Sequence, residues 1–471
     1  MRIRPHLRLA CAGAATTLAL GLATAAPVRA QSLIEALSTT YNSNPDLLAQ
    51  RALLRQTDET LAQAVANWRP RVSLSVEYNK IQFNSLPGVR AATYYALNGR
   101  TTLLSVTQPL FRGGKTVADT KSAQANIQSQ RALLQDTEQT VLLQAANTYA
   151  DLLRDVGIVD VRKNNVRVLV QQLDATRERF RVGELTITDV SQAEARLEQA
   201  KADLVQAEAV VRVDEAAFQR VTGMRPGILG ELPLIGALPA SEDECIALAM
   251  DYGPRAVSAQ NRITAASYSV NSAIASLLPT VNVVGFVQYQ QDLQVPNDQY
   301  YQYGVRVQAT VPIYQNGSEW SLIRQAKELV GQRRNELDSA RRLAAQTVIS
   351  AWRNLDSARS RVTSFTAQVK ANDVALNGVR QEALVGSRTT LDVLNAEQEL
   401  LNSQVSLISA RRDVQINYYG VLAGIGRLTA RTLGLPVEYY DEERYYKDVG
   451  SRWIGDSVPV APGAARGSAN K

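Results

Sequence analysis

The stretch "QPLFRGGKTVAD", Gln108 to Asp119, has a near twin further along the chain, "VPIYQNGSEWSL", Val311 to Leu322. The "GGKT" of the first looks like the tail of a phosphate-binding loop. Such a loop needs a glycine five residues before Gly114, and Pro109 stands there. The twin keeps Pro312 and Gly317 but carries Ser318 where the first copy has Lys115. Both copies retain a proline near the end of a strand-like segment and a glycine ahead of a long proline-free one. They read as one corner used twice, with Pro109, Gly114, Pro312 and Gly317 as its fixed points and the lysine incidental.

Working outward, the rest of the chain is also written twice. Adding 203 carries Tyr149, Val182, Gly183, Asp189, Val190, Ala193, Glu194 and Gly223 onto Trp352, Val385, Gly386, Asp392, Val393, Ala396, Glu397 and Gly426. Upstream of the corner the offset becomes 209, taking Pro45, Ala64 and Pro70 onto Pro254, Ala273 and Pro279. The change of offset falls in "IQFNSLPGVRAATYYALNGR", read as a loop. Two repeats result, 31–230 and 231–435, each planned as helix, strand, loop, strand, long helix, turn, helix.

No proline interrupts Leu110 to Arg225 or Ile313 to Leu435, which permits continuous helix. Apolar residues recur at sevens: Ala145, Leu152, Val159, Val166, Leu173 and Phe180 in one copy, Val348, Leu355, Val362, Val369, Leu376 and Ala383 in the other. Returning rows follow, Val190, Leu197, Leu204, Val211 and Phe218, then Val393, Leu400, Leu407, Val414 and Val421. Such rows are coiled-coil seams. The arm from Lys115 to Arg181 is roughly 100 Å of helix, and the return from Thr188 to Thr222 about half that. A helix from Ser32 to Asn67 stacked on the return, and residues 242–277 in the second copy, would make up the difference. Helices this long need lateral partners.

Around the corners the period changes to two. Val72, Leu74, Val76 and Tyr78 alternate with Ser73, Ser75, Glu77 and Asn79, and Tyr303, Val305, Val307, Ala309 and Val311 with Gly304, Arg306, Gln308 and Thr310. Apolar-out, polar-in segments of about ten residues fit transmembrane strands; four strands of a soluble sandwich fit the same signal. Four are too few to close a barrel, and an open edge cannot sit in lipid. In a bilayer, several chains would have to complete the barrel together.

Residues 1–30 carry Arg2, Arg4 and Arg8, an apolar run and "PVRA", the pattern of a secretory signal. Its four arginines leave 47 of the 51 basic residues against 45 acids, so the high overall basicity gives no support for nucleic-acid binding. The single histidine, His6, lies in that leader, which excludes histidine catalysis and ligation from the exported chain. Cys245 is then its one cysteine, with no disulfide partner, and Cys11 lacks a lipidation pattern. No enzyme, cofactor or metal is expected. A C-terminal segment, 436–456, reads as an equatorial wrap around the helices, and 457–471 as a disordered tail.

The duplication, the "NPDL" of Asn44–Leu47, the corners "PLFRGG" and "PIYQNG", and the turns "RVGELTITDV" and "LVGSRTTLDV" together resemble the TolC family of outer-membrane efflux and secretion channels. The resemblance covers about Ser32 to Leu435. It implies an α+β membrane protein of Gram-negative bacteria, a homotrimer with four strands per chain in one twelve-stranded transmembrane β-barrel in outer-membrane lipid. That barrel would continue into a long periplasmic α-helical barrel. A periplasmic adaptor protein and an inner-membrane transporter of the ABC or RND type are the implied partners, with drugs or type I secreted proteins as cargo. By position, Thr188, Asp189 and Arg388 match a latch between the hairpins at the periplasmic tip. Asp392 and Asn395 match an acidic entrance ring, with asparagine where the family has aspartate, and Ala383 replaces a linking tyrosine. Gly183 and Gly386 mark the hairpin turns. The plainer reading of Thr188 and Asp189 is helix capping. From another class, an exported trimeric coiled-coil structural protein or adhesin would explain the heptads and the leader, but not the strand pair recurring in both halves.

Overall fold

The computed structural model describes residues 31–83, 95–293 and 297–458. The expected leader, 1–30, lies outside them, as does the tail beyond Val458. Each half of the chain begins with two short helices. These are α1 (Leu33–Ser43) and α2 (Pro45–Ala66), followed by strands β1 (Arg71–Phe83) and β2 (Tyr95–Arg112). Then come α3 (Lys115–Arg181) and its return α4 (Ile187–Thr222). The second half gives α5 (Glu242–Tyr252), α6 (Pro254–Ile274), β3 (Thr280–Gln291), β4 (Gln299–Thr310), α7 (Ser318–Leu384) and α8 (Thr390–Gly424). A short α9 (Arg444–Ser451) is the last helix among the described residues. α3 and α7 both have 67 residues, and α7 starts and stops at the offset read from the sequence.

The helix expected over Ser32–Asn67 is broken at Asn44, and 242–277 is broken at Gly253. Proline at the first position of α2 and of α6 cannot donate to the preceding turn, so a new helix starts there. Asn44 caps α2 by accepting from the backbone N–H groups of Asp46 and Leu47, while its Nδ2 donates to the Val221 carbonyl at 3.0 Å. α4 therefore ends against the α1–α2 junction, and α2 carries the column onward beside α3.

The strands form one antiparallel sheet in the order β1-β2-β3-β4, leaving β1 and β4 as edges. Register puts Val72, Leu74 and Val76 in line with Val106, Leu104 and Thr102, then with Gly285, Val287 and Tyr289, then with Val305, Tyr303 and Tyr301. That face is apolar, and its edge-strand members stand exposed, Val305 at 77%. The opposite face holds Ser73, Ser75, Ser105, Gln288 and Arg306. The stretch read as a loop is partly strand: Ile81 pairs with Leu97, and Phe83 with Tyr95. Residues 84–94 of it lie outside the described residues. Among the described residues no helix is long and apolar enough to cross a membrane.

The main core sits between the halves, midway along the helices. Tyr149, Phe218 and Tyr419 are fully buried there with Leu33, Leu37 and Leu142. Tyr149 Oη lies 2.8 Å from the carbonyls of Gln31 and Gly230, and Tyr419 Oη donates to Pro233 at 2.6 Å. The buried tyrosines thus satisfy their hydroxyls on the connecting segments.

The corner needs more than its one repeated glycine. Gly113 and Gly114 have φ of +61° and +82°, and their counterparts Asn316 and Gly317 have +57° and +77°. Two successive left-handed residues swing the chain from strand into helix, and asparagine tolerates that region better than other side chains. Lys115 has its own role in the first copy. Its Nζ donates to Ser272 Oγ at 2.7 Å, Ser272 donates to Asp119, and α3 is thereby fastened to α6.

Candidate functional site

The far end of the hairpins, remote from the sheet, is built by two turns of one design. α3 stops where Gly183 takes φ +86°, and α7 where Gly386 takes +80°. The cap of α4 is Thr186, with Asp189 at the third helical position. Thr186 N–H and Oγ1 donate to Asp189 Oδ2 at 3.0 and 2.7 Å, and the Asp189 N–H donates back to Oγ1. Thr389 and Asp392 repeat this at the start of α8, at 3.0 and 2.8 Å. These are reciprocal capping boxes. Thr186 makes the cap expected of Thr188 or Asp189, and Thr188 is the exposed second residue of the helix.

Capping also sets the charge. Hydrogen bonds from Thr186 hold the Asp189 carboxyl below its ordinary range, and those from Thr389 do the same for Asp392. Each aspartate uses one carboxylate oxygen on its helix.

Within one chain Arg388 does not meet Asp189. Its Nε donates to Glu382 Oε2 at 2.8 Å, and that bond raises its pKa further. The first turn has the mirror arrangement: Arg179 Nε donates to Glu184 Oε2 at 3.0 Å. Arg179 and Glu382 occupy equivalent positions, so each turn has one clamp and the two clamps have opposite polarity. Ala383 leaves the last turn of α7 without a side chain that reaches across.

Asn395 does reach across the hairpins. Arg196 Nη2, on α4, donates to Asn395 Oδ1 at 3.1 Å. Beneath it Leu394 is 2% exposed and packs with Leu169, Leu173, Val190, Ala193, Leu197 and Ala200 of the first hairpin. A second pair recurs in both copies: Arg177 donates to Glu194 at 2.6 Å and Arg380 to Glu397 at 2.9 Å, cross-bracing each hairpin. Glu397 is buried, so its partner compensates a costly charge. The sequence showed Glu194 and Glu397 as equivalents. Arg177 and Arg380 stand at the same offset, but nothing in the sequence singles them out from the other arginines of the long helices.

Neither turn forms a nucleophile, a base or a cofactor cradle. Geometrically the site is a pair of capped, cross-braced turns, rich in charge, with Val182, Leu384, Val385 and Ile187 exposed around it. It can hold a neighbour or let it go, and it can present carboxylates to a passing ion.

Comparison with known proteins bears on what such turns belong to. A family model described as "Outer membrane efflux protein" matches residues 36–224 and 253–427. The outer membrane efflux protein BepC of Brucella suis biovar 1 (strain 1330) is 35% identical over 431 residues, spanning 91% of this chain and 92% of its own. The outer membrane protein TolC of Escherichia coli (strain K12) is 25% identical over 421 residues, 86% of this chain and 84% of its own. In fold, the CmeC outer membrane channel of Campylobacter jejuni superposes with a TM-score of 0.74 at 15% identity, covering 95% of this chain and 98% of that one.

Proposed function

The chain belongs to the outer membrane efflux protein family, and from that premise we propose that three copies form the exit duct of a tripartite export system. It is an outer-membrane protein that reaches into the periplasm. In the proposed trimer the twelve strands close one barrel, and the helices of the two repeats continue it as a water-filled tube. A periplasmic adaptor and an inner-membrane ABC or RND-type transporter would feed it, with secreted proteins, drugs or both as cargo.

The observation that carries this reading is the sheet with an apolar exposed face and two unpaired edges. Lipid tolerates no unpaired edge, so β1 and β4 must find each other on neighbouring copies. The long helices then gain the lateral partners that one chain cannot supply. A strain lacking the gene is expected to become sensitive to amphipathic drugs, to lose secreted proteins from the medium, or both. Intact phenotypes on both counts would remove the export reading.

In this duct the hairpin turns form the entrance. Arg388 exchanges Glu382 for Thr188 and Asp189 of an adjacent hairpin when the entrance closes. Such exposed, charge-assisted contacts suit a latch that a partner must open. Arg388→Ala and Asp189→Ala are expected to raise open probability in planar bilayers, and unchanged gating in both would sink the latch. Asp392, held ionised by its own cap, lines the entrance with Asn395, and three such carboxylates favour cations. Asp392→Asn should lower the cation-to-anion permeability ratio at unchanged trimer yield; an unaltered ratio would take Asp392 out of the lumen.

A further inference from the structure

The segment read from sequence as an equatorial wrap climbs. Its first contacts are at the middle of the molecule, where the Tyr440 N–H donates to Tyr41 Oη at 3.0 Å and Arg51 lies over both rings. Further on, Tyr445 Oη donates to Glu59 at 2.6 Å. The last contacts are with Arg69, whose Nη2 reaches the Gly450 carbonyl at 3.4 Å and whose Nη1 donates to the Arg452 carbonyl at 2.6 Å. From Arg51 to Arg69 the partners rise along α2 by roughly 25 Å. Arg69 lies two residues before β1, so the segment ends at the base of the sheet.

At that level the chain makes a small loop with its apolar residues outward. Arg452 Nη1 donates to the Ser457 carbonyl at 2.9 Å and closes it. Trp453 lies under the Arg69 guanidinium, 4.7 Å from cation to ring centre, yet remains 67% exposed. Ile454 is 96% exposed and Val458 67%. Trp68, beside Arg69, is 47% exposed, and the apolar face of the sheet starts just above with Val72. An exposed Trp–Ile pair on a guanidinium clip is costly in water. It matches the boundary between acyl chains and headgroups, where indole rings sit and arginines meet phosphate.

We propose that residues 452–458 are a membrane foot, planted in the phospholipid of the periplasmic leaflet at the base of the barrel. Three feet, one per chain, would brace the helical tube against the membrane from outside. The proposal rests on the reading that the sheet spans the outer membrane, because that places Arg69 at the lipid boundary. Continuity with the apolar sheet face selects phospholipid as the occupant, in preference to a neighbouring copy's corner.

The test uses assembled full-length protein in phosphatidylethanolamine–phosphatidylglycerol vesicles brominated near the carbonyl end of the acyl chains. Trp68, Trp320 and Trp352 are replaced by phenylalanine, leaving Trp453. A parallel chain carries Trp453→Phe and Tyr303→Trp, which reports from the apolar face of β4. Trp453 emission is expected to fall at least twofold in brominated lipid. Quenching of the β4 reporter without quenching of Trp453 overturns the foot alone, and a neighbouring copy as occupant gives that same result. No quenching of either overturns the spanning sheet and the foot together. Should the tryptophan-depleted chain fail to assemble, Ile454→Cys with a nitroxide answers the question in the native background, since Cys245 is fully buried. Oxygen accessibility above that of an aqueous-exposed label supports the foot, and accessibility equal to it overturns the foot.

Discussion

Asp214 faces Asp155 across the α3–α4 seam, at a level where the neighbouring turns carry Leu152, Val159, Val211 and Phe218. Arg154 donates to both oxygens of Asp155, at 2.8 and 2.7 Å, and Arg412 on α8 reaches Asp151 at 2.7 Å. Burial, then the adjacent Asp155, push the Asp214 carboxyl up to about 7. Burial also works on Asp155, but the bonds from Arg154 and Asp214 hold it below its ordinary range. The pair therefore keeps one proton near neutrality. Asp214 has a folded-state pKa above its unfolded one, so its contribution is full below about 4 and is lost as pH rises through about 7. The seam should be firmer at mildly acidic pH than at alkaline pH, by ~1 kcal/mol per chain after allowance for partial solvent contact. Amide exchange over α4, corrected for intrinsic rate, should show that loss, and Asp214→Asn should abolish its pH dependence. Identical profiles for both proteins would contradict the assignment. The second copy supports the choice of variant, since Ala358 and Asn417 stand at the equivalent positions. Nothing in the sequence marks these two aspartates as a pair; only the register between antiparallel helices shows that they meet.

At the scale of elements, period and punctuation were legible. Heptads gave the long helices, alternation gave the strands, and the corner gave their junctions. What the sequence obscured was where helices are interrupted and what each cap uses. The helix expected over Ser32–Asn67 runs across Asn44–Pro45, although proline at a first helical position starts a new one. Thr186, Thr188 and Asp189 are all candidate caps in sequence, and only the backbone angles single out Thr186. The repeat keeps no glycine at the position of Gly113, yet a Cβ there would lie 2.7 Å from the Ala275 carbonyl oxygen and from Leu278 Cβ. Gly114 has nothing within 4 Å of such an atom. Gly113→Ala should therefore cost about 2–3 kcal/mol, combining left-handed strain with a backbone clash. Gly114→Ala should cost only the strain, about 1–2 kcal/mol. Thermal melts of the assembled protein check the order, and an equal loss for both would mean that the strand–helix corner is not packed against the segment after α6.

For the whole molecule, the half that one chain leaves unfinished is the informative half. An apolar sheet face, two bare sheet edges and helices of 67 residues cannot be satisfied by intrachain contacts. The same incompleteness limits what one chain can show of the proposed latch. The resemblance marks residues at the turns by position, but one chain satisfies them locally, Arg388 on Glu382 and Asp189 on Thr186. Any exchange of partners belongs to the assembly. In the proposed trimer β1 of one copy pairs with β4 of the next until three copies close the barrel. Cysteines scanned in pairs along β1 and β4, introduced into the outer-membrane protein and oxidised, test it most directly. At least one register should cross-link efficiently, with a ladder of one, two and three chains and nothing larger. A ladder that stops at two, continues past three, or shows only intrachain bonds between β1 and β4 would contradict it.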